Sequence, residues 1–130
     1  MKIVFLIGRV LAGSFYIYSG VKHFLGLSQL AGYARMNGVP LPEIAVAGTG
    51  LLIIAGGFSI LLGYRPRLGI AAIILFLVPV TLMMHSFWAQ EGAARASNLV
   101  NFTKNLALLG SALMFVPIPR PWPLSLGRNV

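Results

Sequence analysis

The side chains in this sequence with the reach to do chemistry are two histidines, one lysine inside an apolar run and a group of asparagines. Arg9, Gly13, Tyr16, Gly20 and His23 stand at offsets 0, 4, 7, 11 and 14, which places them along one face of a helix. Thr81, His85 and Trp88 share a second face at offsets 0, 4 and 7, and Asn98, Asn101, Lys104, Asn105 and Leu108 form a third stripe. Imidazole, ammonium and amide groups donate to carbonyl oxygens, while Tyr16, Phe87 and Trp88 offer ring faces. A quinone headgroup or a lipid headgroup is the ligand such groups would suit. The same side chains also describe an aromatic belt with polar fastening between helices, so a purely structural reading stands beside it. Haem is disfavoured, because two histidines make at most one axial pair and nothing in their spacing turns the rings toward each other.

Other chemistries find little to work with. The chain has no cysteine, which removes disulfides, thiolate chemistry and cysteine-held metals. Ser14, Ser86 and Ser111 lack a triad, since aspartate is absent, and no glycine-rich phosphate loop precedes a Lys-Ser/Thr pair. Glu43 and Glu91 fall on different loops, which argues against paired acid–base carboxylates. No catalytic residue and no metal site are assigned, and catalysis by this chain alone is not expected.

These stripes must be held by elements that live in lipid. Of 130 residues, 58% are hydrophobic and 9% charged, against roughly 25% charged in a soluble domain. A small soluble globule could not bury so much apolar surface. Each crossing of the bilayer takes about 20 residues, and the sequence offers four such stretches, near residues 3–24, 43–62, 68–88 and 98–116. The expected fold is an all-α, membrane-embedded, antiparallel four-helix bundle in a single domain. Leu27, Leu30, Ala31 and Ala34 recur opposite Gln29 and Arg35, predicting a short interfacial helix between the first two spans, ended by Asn37-Gly38. Pro42 and Glu43 suit a helix start. Pro79 inside the third span removes one backbone hydrogen bond and predicts a kink. Ala89 to Ser97 reads as a loop. Pro117, Pro119, Pro121 and Pro123 stop the last span, and with Trp122 they suit an extended tail at the headgroups over residues 117–130.

The net charge of +8 is scattered between apolar runs, so it reads as a topology signal and lipid contact rather than a nucleic-acid surface. Lys2, Arg65, Arg67, Arg120 and Arg128 share the side of both termini, while Lys22, Arg35 and Arg95 flank the other, which predicts both termini in the cytoplasm. Alternating spans then bring His23, Glu43, His85, Asn101, Lys104 and Asn105 to the opposite membrane end. Lys104 would sit about 9 Å inside a helix that starts at Asn98, deep enough to need a partner, and Glu43 is the acid nearest to it. A Glu43–Lys104 ion pair, or Lys104 donating to the asparagine side chains and to loop carbonyls, is therefore expected. Gly13, Gly20, Gly56, Gly57 and Ser59 are expected at close helix contacts, with Ala55, Ser59 and Gly63 forming one row.

The motifs resemble one family across residues 10–115. Tyr18-Ser19-Gly20-Val21-Lys22-His23-Phe24 resembles the end of the first helix in DoxX-family membrane proteins, and Asn37-Gly38-Val39-Pro40 resembles their next connector. Gly56-Gly57, Leu61-Leu62-Gly63 and Arg65-Pro66-Arg67 are similar to their second hairpin. Met84-His85-Ser86-Phe87-Trp88 and Phe102 to Gly110 resemble the later helices of one bacterial branch. Many members carry a glutamate shortly before the glycine pair; here Ile53 and its neighbours are apolar, so its role does not transfer. The resemblance implies a four-helix protein of the bacterial inner membrane, acting as a subunit or accessory of a quinone-linked oxidoreductase complex. Three functional readings remain open: such a subunit with a quinone or lipid pocket at its non-cytoplasmic end and no cofactor of its own, a small oligomeric permease or exporter, and a structural packing subunit. Its expected partners are the bilayer and either other membrane proteins or further copies of itself.

Overall fold

Proline and glycine punctuate the chain where the helices change. The computed structural model describes residues 1–127, so Arg128 lies outside the described residues. Its α-helices are α1 (Lys2–Leu25), α2 (Leu27–Met36), α3 (Pro42–Leu62), α4 (Pro66–Met84) and α5 (Gly92–Met114), with a 3₁₀ turn at Phe87–Ala89. Pro42 and Pro66 occupy first-turn positions, where the missing N–H is no loss. Gly63 closes α3 in the left-handed region at φ 65°, a conformation that favours a residue without Cβ.

Three segments, α1, α3 and Pro66–Ala89, are long and apolar enough to cross a membrane. The fourth long helix, α5, has 23 residues and carries Arg95 and Lys104; at 1.5 Å per residue it reaches about 35 Å. The protein is all-α, with the short α2 between the first two long helices.

Packing follows the sequence of long helices: α1 lies on α3, α3 on α4 and α4 on α5, while α2 lies on α3. A Cβ added to Gly13 would meet the Gly57 carbonyl at 2.8 Å, and one added to Gly57 would meet the Gly13 carbonyl at 2.8 Å. A Cβ added to Gly20 would meet the Gly50 carbonyl at 2.7 Å, and one added to Gly56 the Gly69 carbonyl at 3.0 Å. Ser59 packs on Gly69 and donates to the carbonyls of Tyr64 (2.7 Å) and Arg65 (3.1 Å), which satisfies groups exposed by the α3–α4 turn. Ala55 is exposed and belongs to no such row. The apolar core gathers Ile53, Ile60, Ile70, Ile73 and Leu77. Ala31 and Ala34 of α2 are buried with Val46.

Three local departures from the sequence reading have physical causes. α4 ends at Met84 rather than near Trp88, since His85 leaves helical geometry and the Met84 carbonyl takes a hydrogen bond from the Tyr33 hydroxyl at 3.1 Å. α5 begins at Gly92, six residues before Asn98, because Ala93, Ala94, Arg95 and Ala96 are strong helix formers despite their loop-like polarity. The described part of the tail folds back onto the end of the bundle instead of extending away from it. Trp122 is 3% exposed and wedged between Phe5 and Phe115, with ring centroids 5.2 and 5.5 Å away. Arg9 holds this tail by donating from Nη1 to the Pro123 carbonyl (2.9 Å) and from Nη2 to the Leu124 carbonyl (3.0 Å).

Candidate functional site

At the bundle end remote from the termini, α1, α2, α3, α4 and α5 enclose a cavity of about 410 Å³, a size usual for small-molecule sites. Tyr16 and His23 reach it from α1, His85 from the residue after α4, and Lys104 and Asn105 from α5. Phe76, Leu77, Val80 and Leu108 supply much of its apolar wall. The helical faces deliver these residues: Arg9, Gly13, Tyr16 and Gly20 are the buried residues of α1, and Asn98, Asn105 and Ala112 those of α5.

Each imidazole is held through Nδ1. His23 Nδ1 lies 2.9 Å from the Ser19 carbonyl, and the ring stands edge-on to Phe76 at 5.7 Å. A carbonyl only accepts, so the proton sits on Nδ1 and neutral His23 keeps Nε2 as an acceptor. His85 Nδ1 lies 3.2 Å from Asn98 Oδ1, an oxygen also 3.3 Å from the Tyr33 hydroxyl. That assignment likewise leaves Nε2 of neutral His85 an acceptor. In their neutral forms with the proton on Nδ1, the two rings offer acceptors to the cavity where the sequence suggests donors. Donation falls to Lys104, whose Nζ also donates to Asn101 Oδ1 at 3.0 Å, and to the amide of Asn105. Tyr16 donates to the Leu108 carbonyl at 3.5 Å, a contact at the long limit.

Three expectations change. Glu43 does not pair with Lys104. The Arg35 guanidinium takes the Glu43 carboxylate in an exposed ion pair, because α2 and the start of α3 place the two residues side by side. Lys104 follows the other expected course and donates to an asparagine, Asn101, one helical turn back; with α5 starting at Gly92 it lies about 18 Å along the helix. Trp88 does not line the cavity; the early end of α4 leaves it 58% exposed in a ring cluster with Phe87 and Phe102, at 5.3 and 5.8 Å. Asn101 reaches the site only through Lys104.

Sequence reasoning also missed Tyr33, which ties α2 to both Met84 and Asn98. A signal was present: Tyr33 stands three residues after Leu30 on α2, next to Ala34, and all three line the cavity.

The model of the DoxX family matches residues 4–86, more than half of the chain. The chain belongs to the DoxX family. This DoxX protein is also similar to Inner membrane protein YphA of Escherichia coli (strain K12), with 25% identity over 127 residues covering 98% of this chain and 90% of that protein. No solved structure matches it. It is a multi-pass protein of the inner membrane. The family match takes in α1 to α4, and therefore His23 and His85, but stops before Lys104 and Asn105.

Proposed function

We propose that this protein is an accessory subunit of a quinone-linked oxidoreductase complex and holds a quinone-type headgroup in the cavity, without a redox cofactor of its own. The observation that carries the reading is the convergence of His23, His85, Lys104 and Asn105 on one mostly apolar cavity. Polar groups are costly at membrane depth and mark functional positions there. With no cysteine and two histidines, the chain has few side chains with which to hold redox metals, so electrons would be exchanged with a partner membrane protein. Among the described residues, Lys2, Arg65, Arg67 and Arg120 belong to the end carrying both termini, and Lys22, Arg35 and Arg95 to the other. This bias supports cytoplasmic termini and a cavity on the non-cytoplasmic side.

The hydrogen-bonding inventory favours the reduced form. Two imidazole acceptors suit hydroxyl donors of a hydroquinone, whereas a quinone offers only carbonyl acceptors. The test is a calorimetric titration of the detergent-solubilised protein with a short-chain benzoquinone and its hydroquinone, beside mass spectrometry of co-purified lipids and chains. Hydroquinone is expected to bind about tenfold tighter, one net hydrogen bond's worth. His85→Ala and Lys104→Ala should each weaken binding by about tenfold. Failure of either form to bind at millimolar concentration, with no co-purified quinone, would overturn the reading.

A further inference from the structure

The bundle is unevenly sealed around its perimeter. Successive long helices pack on one another, but among the described residues no comparable interface joins α1 to α5, the two helices that should close the ring. At the end with the termini this seam is plugged: Phe5 of α1 stands edge to face with both Phe115 beyond α5 and Trp122 of the tail, and Phe115 lies tilted against Trp122, with Phe5 and Phe115 centroids 6.0 Å apart. Midway, it is crossed by the long hydrogen bond from the Tyr16 hydroxyl to the Leu108 carbonyl. Past that point Phe15 and Ser19 of α1 and Lys104 of α5 line the cavity. Phe15, 41% exposed, and Lys104, also exposed, both belong to the cavity wall and to the outer surface.

We infer that the α1–α5 seam above the Tyr16–Leu108 contact is a lateral portal, through which the hydrocarbon chain of an amphiphilic ligand passes from the cavity into the bilayer. The inference rests on the proposed headgroup site and adds the class of molecule it takes: a polar ring or head on a linear apolar chain, loaded from the lipid phase. In hydrocarbon a side wall of this kind costs little, since an acyl or prenyl chain supplies the same dispersion contacts as a neighbouring helix. Lys104 does not bar the opening, because its ammonium is drawn along α5 toward Asn101 and the nearer membrane surface. Trp122 at the other end confines the chain to the half of the seam beside the cavity.

The experiment uses the full chain in lipid nanodiscs and a benzoquinone bearing a ten-carbon chain with a diazirine midway along it. Photolabelling followed by peptide mapping is expected to mark Phe15, Ser19 or Leu108. Labels confined to Met83 on α4 or Leu30 on α2, or spread evenly over the bundle, would overturn the portal. Leu108→Trp should fill the seam and weaken binding of the chain-bearing ligand by about fivefold more than it weakens that of the chain-free headgroup. Equal binding of both ligands by wild type and variant, with no label at the seam, leaves the headgroup site standing and removes the portal. Absence of binding by either ligand removes both.

Discussion

Arg9→Leu is expected to detach the C-terminal tail from the bundle and to lower stability by about 3 kcal/mol, the loss of two charge-assisted hydrogen bonds from a buried group. Arg9 is 2% exposed, seven residues into α1, and its two terminal nitrogens serve the Pro123 and Leu124 carbonyls. Without them those part-buried carbonyls lose their donors. The tail has few other ties: the Leu126 N–H donates to the Leu62 carbonyl at 2.9 Å, and Trp122 fills the space between Phe5 and Phe115. Lysine is a poor substitute, since a single ammonium cannot span both carbonyls as the guanidinium fork does. The measurement is tryptophan emission in a Trp88→Phe background, where Trp122 is the remaining indole. A red shift with proteolysis around Pro121 is expected; unchanged emission and full protease resistance would show that Arg9 does not hold the tail. Gly63→Ala tests the same contact from the other side. Its Cβ would lie 2.6 Å from Ser125 Cβ and 2.9 Å from Arg9 Nη1, at a backbone φ of 65° that alanine resists.

Arg9 also shows where a sequence stops being legible. Its place on the face with Gly13, Tyr16 and Gly20 is a matter of helical period, and those four residues are the buried ones of α1. Its partner is not: reaching Pro123 and Leu124 depends on a tail that turns back more than 110 residues later. Alternating prolines suggest an extended segment, and burial of Trp122 overrides that local preference. The same division runs through the site. Alternating spans place His23, His85, Lys104 and Asn105 at one end, because that follows from counting crossings. The Arg35–Glu43 pair, by contrast, depends on the angle at which α2 returns over α3, and nothing in the spacing encodes that angle. Polar composition hid the start of α5, where alanine's helix propensity outweighs the look of a loop. Gly50 was legible and overlooked. Gly13 and Gly20 are seven residues apart, and so are Gly50 and Gly57, so two antiparallel helices in register must bring both pairs together.

That register makes the α1–α3 contact the place where a single methyl group should do most harm. A Cβ on Gly57 would stand 2.8 Å from the Gly13 carbonyl and 2.9 Å from the Ile17 nitrogen, both backbone atoms that cannot rotate away. Overpacking of this kind costs about 1–3 kcal/mol even where side chains can adjust. Gly57→Val, with two further methyls on a rigid Cβ, is expected at or above the upper figure, seen as loss of the folded protein from membranes and a lowered unfolding temperature in detergent. Gly48→Val is the control, since nothing lies within 4 Å of a Cβ there. Equal stability of the two variants would mean that α1 and α3 are not in this register. The second pair extends the test to the site. A Cβ on Gly50 would meet His23 Cβ at 2.9 Å and the Phe24 ring at 3.0 Å, so Gly50→Ala presses on the imidazole's own anchor. With α1 and α3 still paired at Gly13 and Gly57, it should weaken headgroup binding by about fivefold for a smaller loss of stability than Gly57→Val. Binding that falls only in step with stability would place His23 outside the ligand's reach, and with it one of the two acceptors on which hydroquinone preference depends.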